Sequence, residues 1–161
     1  MTPIDNPLLL AGEMPDFTAI RPEHVQPAVE ALLAEAEAAL ERAVGPDVPA
    51  DHDALALVLD VPVERLRRTW SHVNHLQAVA DTPALRAAHA EALPRITDFT
   101  TRLGADARLY AKYKAVAASP AAAAMTPPQK KALADTLRDF VLGGAELQGA
   151  QRARYAAIQE R

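Results

Sequence analysis

The sequence contains no cysteine, and that absence removes three kinds of chemistry together. There is no disulfide framework, no thiolate zinc knuckle and no thiol nucleophile. Reducing conditions such as the cytosol suit a chain of this kind. Aromatic residues make up only 4% of the 161 residues, too few for the aromatic-rich strands of a β sandwich or barrel. Positive charge is also scarce, with 17 Lys+Arg against 21 Asp+Glu and a formal charge of −4. A nucleic-acid partner requires a concentrated basic face. The densest clusters, Arg65-Arg67-Arg68 and Lys130-Lys131, fall short of an interaction tail and read as solvated helix faces. No long apolar run is present either. Leu8-Leu9-Leu10-Ala11 lies between Asp5 and Glu13, too short for a secretory signal or for the ~20 residues of a membrane span. The expectation is a cytoplasmic chain with no nucleic-acid and no membrane partner.

Alanine is what the sequence has in quantity, 36 residues of 161, and alanine is the strongest helix former. The length fits one domain, and a chain of this size buries roughly 68–70% of its unfolded surface. The predicted architecture is all-α: a single domain over 1–161. It consists of an extended, docked arm over 1–21 and a mostly antiparallel bundle of five to six helices over 22–161.

Periodicity places the helices. Val25, Val29, Leu32, Leu33, Ala36 and Leu40 form one stripe over about 22–44, with Pro27 delaying the regular helix until near Gln26. Gly45-Pro46-Asp47-Val48-Pro49 ends it. Asp53 caps a second helix over about 54–80, in which Pro62 bends or interrupts the start and Asp60 offers a second cap. Its apolar repeat is Val63, Leu66, Trp70, Val73, Leu76 and Val79. Thr82-Pro83 opens a third helix over about 83–103 that buries Leu85, Leu93, Ile96, Phe99 and Leu103, with Pro94 as a kink. Asp106 caps a fourth, about 107–118, with Leu109, Tyr110, Tyr113 and Val116 inward. Ser119 to Thr126 reads as a loop. Thr126 and Gln129 form a capping box for a helix over about 127–142 that turns Leu133, Leu137, Phe140 and Val141 inward and stops at Gly143-Gly144. A last helix begins near Gly149, carries Tyr155 and Ile158, and reaches Arg161 without a stop signal.

The chemistry is a series of negatives. No His is followed by Glu, so the His-Glu-x-x-His helix of zinc peptidases is absent from these residues. The only adjacent glycines follow a helix, which excludes a phosphate loop, and there is no Gly-x-Ser-x-Gly elbow. His72 and His75, three apart on one helix, could share a metal only with a further ligand such as Glu91 or Asp98. A polar pair at the bundle edge is the simpler reading. No catalytic and no metal-binding residue is assigned to the chain.

Several strings carry a resemblance. They include Asn6-Pro7-Leu8-Leu9, Met14-Pro15-Asp16-Phe17 and Arg21-Pro22-Glu23-His24-Val25-Gln26-Pro27-Ala28-Val29. Others are Ser71-His72-Val73-Asn74-His75-Leu76, Leu109-Tyr110-Ala111-Lys112-Tyr113, Leu137-Arg138-Asp139-Phe140 and Gln151-Arg152-Ala153-Arg154-Tyr155. In order and spacing the chain resembles, over nearly its whole length, the N-terminal helical domain of the oligopeptidase A-like zinc metallopeptidases of the thimet oligopeptidase family. Pro62 departs from that pattern. The resemblance implies a helical region that walls a channel admitting short peptides, with a zinc site in a later catalytic domain absent from this chain. It implies that the chain alone holds no cofactor, is inactive, and has that C-terminal catalytic domain as its partner. Phe140, Val141, Tyr155 and Ile158 are the candidate docking residues; unpartnered, they favour self-association. Bundle core is the competing reading of the same four. A free-standing helical module that binds a peptide or protein without catalysis is the alternative function.

Overall fold

The computed structural model describes residues 6–10 and 14–159. Among them, helix is the only regular structure. Two 3-10 turns, Pro7–Leu9 and Pro22–His24, precede helices α1 (Val25–Val44), α2 (His52–Leu55), α3 (Val61–Val79) and α4 (Pro83–Gly104). Then follow α5 (Ala107–Ala118), α6 (Ala121–Ala124), α7 (Pro127–Leu142) and α8 (Gly149–Gln159). Six of these have eleven residues or more, while α2 and α6 are single turns. The expected run to Arg161 ends on residues outside those described, as do Met1–Asp5 and Ala11–Glu13 of the arm.

The chain gathers into two compact units. One takes Met1–Glu37 and Val61–Ile96, the other Ala38–Asp60 and Thr97–Arg161. In the first, the apolar stripe of α1 from Val25 to Ala36 is buried as its period requires, with Val25 and Val29 at 0% exposure. Leu66, Trp70 and Val73 of α3 and Leu85 and Ala92 of α4 are buried as well. Asn6 and Leu8 of the arm are also buried. In the second, Leu109, Tyr110, Tyr113 and Val116 of α5 are all buried, together with Leu55, Leu59, Phe99, Leu133 and Phe140.

Several expectations change at the element ends. The cap of the second helix is Asp51, whose carboxylate accepts from the N–H groups of Asp53 and Ala54 at 3.1 and 3.0 Å. Asp53 instead meets His52 Nδ1 at 2.9 Å and accepts from Gln129 Nε2 at 3.2 Å. Asp60 is no cap, because Ala56–Asp60 form a π-helical turn that links α2 to α3. Pro62 lies two residues past it. A proline ring crowds the carbonyl four residues back and has no N–H to offer it, and a widened turn just ahead of the ring relieves that crowding. The alanine run expected as loop contains α6. Leu93, Val79 and Val141 point outward at 42%, 67% and 44% exposure, where inward positions were expected. Helix α4 runs unbroken through Pro94.

Candidate functional site

The first unit holds four of the five histidines, and each has a structural occupation. His24 is buried; its Nδ1 accepts from the Arg21 N–H at 3.0 Å and its carbonyl accepts from Asn6 Nδ2 at 2.8 Å. Asn6 Oδ1 in turn takes the Leu8 N–H at 3.0 Å, and the Leu8 carbonyl takes the Thr69 hydroxyl of α3 at 3.0 Å. This relay ties residues 6–8 to His24 and to α3 through polar bonds, alongside the burial of Leu8. His89 stacks on Trp70 with ring centroids 4.7 Å apart and shares a 2.8 Å hydrogen bond with Asn74 Oδ1. Phe17 covers His72 edge-on at 5.7 Å and His75 at 5.1 Å.

The surroundings of His72 disfavour its protonated form. Burial pushes its imidazole below the ordinary histidine value, and the charge of Arg68 and then His75 push it further in the same direction. Among the described residues, no group of three or more His, Asp or Glu lies close enough to hold a metal ion. His72 and His75 pack with Phe17 in one aromatic cluster.

In the second unit lie the four candidate docking residues. Phe140 is buried, tilted against Tyr110 at 5.6 Å and Tyr113 at 5.7 Å. Burial, reinforced by the charge of Asp60, pushes the Tyr113 phenol up to about 12. Tyr110 donates its hydroxyl to Glu146 Oε1 at 2.8 Å, and Lys114 Nζ stands 4.2 Å from the centre of its ring. Helix α7 then stops in a full Schellman motif: Gly144 is left-handed at φ 88°, its N–H bonds the Val141 carbonyl at 3.2 Å, and the Ala145 N–H bonds the Phe140 carbonyl at 2.9 Å. The reversal sets Tyr155 of α8, half-buried, so close to Gly144 that a Cβ there would meet its ring at 3.3 Å. Arg152 of α8 reaches the Ala105 carbonyl at 3.3 Å. Val141 at 44%, Leu142 at 67% and Ile158 at 57% are left exposed. The structure thus divides the four: Phe140 is an internal packing residue, Tyr155 is half covered, and Val141 and Ile158 face solvent. Leu142, the last of the apolar triplet Phe140-Val141-Leu142, is the most exposed of the three.

Comparison with known proteins completes the description. A family model for the neurolysin/thimet oligopeptidase N-terminal domain matches residues 29–152. The chain is 36% identical over 156 residues to oligopeptidase A of Salmonella typhimurium and, to the same degree, to that of Escherichia coli. Each match covers 97% of this chain and 23% of the relative. A probable cytosolic oligopeptidase A of Arabidopsis thaliana is 34% identical over 158 residues, 96% of this chain and 22% of that protein. The chain spans less than a quarter of the length of these curated relatives.

Proposed function

The chain belongs to the neurolysin/thimet oligopeptidase family, as its N-terminal domain, and on that premise we propose that it is the channel-forming helical region of a cytoplasmic, zinc-dependent oligopeptidase that hydrolyses short peptides. The observation that carries this reading is the match over residues 29–152 combined with a span of only 23% of the relatives' length. A wall of this kind needs rigid helices and a face for the rest of the enzyme. It needs no nucleophile, in keeping with a sequence that has no His-Glu-x-x-His string. Its contribution to peptide hydrolysis is steric, admitting short unfolded chains and excluding folded ones. Zinc and the groups of the reaction belong to the remainder of the parent. Val141, Leu142 and Ile158 meet that remainder, and Phe140 and Tyr155 hold α7 and α8 in place behind them.

The reading frame beyond Arg161 tests this directly. A continuation that encodes a His-Glu-x-x-His motif is the expected result. A native stop codon at that point would overturn the proposal in favour of the free-standing interaction module.

A further inference from the structure

We draw no further inference here: the strongest candidate, the exposed apolar side chains of Val141 and Leu142 at the end of α7 and of Ile158 on α8, belongs to the docking surface already described, and nothing else in the structure shows what covers it.

Discussion

A Cβ placed on Gly143 would stand 2.5 Å from the Gly104 carbonyl oxygen and 3.0 Å from that of Asp139. Both obstacles are backbone, and neither moves cheaply. Gly143 has an ordinary helical φ of −72°, so its requirement is space alone, whereas Gly144 at φ 88° is required for its conformation. Gly143→Ala is expected to cost about 1–3 kcal/mol as an overpacked contact. Gly144→Ala should cost about 1–2 kcal/mol from left-handed backbone strain. Urea melts of the two variants measure both losses. His72 gives a prediction of a different kind. Its folded pKa is depressed, so the unfolded chain takes up the proton first and stability falls as pH drops below about 6.5. The depressed carboxylates, Asp16 and Asp106 among them, lose their contribution only around and below about pH 4. His72→Gln should therefore flatten the decline in melting temperature between about pH 7.5 and pH 5.5. An equally steep decline in the variant would assign it to other groups.

At the level of elements, caps are where local sequence and structure agree best. Asp106 accepts from the N–H groups of Arg108 and Leu109 at 2.8 and 3.1 Å, and Arg108 folds back to pair with both Asp106 and Glu41. Asp106→Ala is expected to lower stability by about 1 kcal/mol, or roughly 2–4 °C in melting temperature at this chain length; Arg108→Ala, at the exposed end of the network, should change it by less. The Asp106 cap was legible because one aspartate precedes one clean apolar period. At the second helix two aspartates flank His52; Asp51 is the one that caps, while Asp53 meets His52 and Gln129. The π turn at Ala56–Asp60 was not legible, since a proline announces crowding but not how the ladder relieves it. The outward turn of Leu93 has a related origin. Ala92 is buried in its stead at 0% exposure, and in an alanine-rich helix small residues occupy both faces and blunt the hydrophobic contrast that sequence reasoning relies on. The end of α7 shows the same limit: Phe140, Val141 and Leu142 are consecutive, and only packing decides that the first turns toward Tyr110 and Tyr113.

For the whole molecule, the helical class and the family were legible early, the first from alanine and period, the second from strings spread over the chain. Two expectations follow from the proposal that the chain walls a channel in a larger enzyme. The purified chain should cleave no short fluorogenic peptide in a chelator-sensitive way; sustained turnover that a chelator abolishes would refute the division of labour. Its exposed Val141, Leu142 and Ile158 should also promote concentration-dependent association, seen as a rising mass in light scattering and reduced by Leu142→Lys. A constant monomer mass at millimolar concentration would argue against that face as a docking surface.

The single tryptophan, stacked on His89, lies in the first unit, while Tyr110, Tyr113 and Tyr155 all lie in the second. The molecule thus carries its own pair of optical reporters, one for each unit. Emission excited at the red edge follows the surroundings of Trp70, and the near-ultraviolet tyrosine bands follow the ring cluster around Phe140. Superimposable denaturation curves from the two signals would mean one cooperative unfolding event, and separated curves would give each unit a stability of its own.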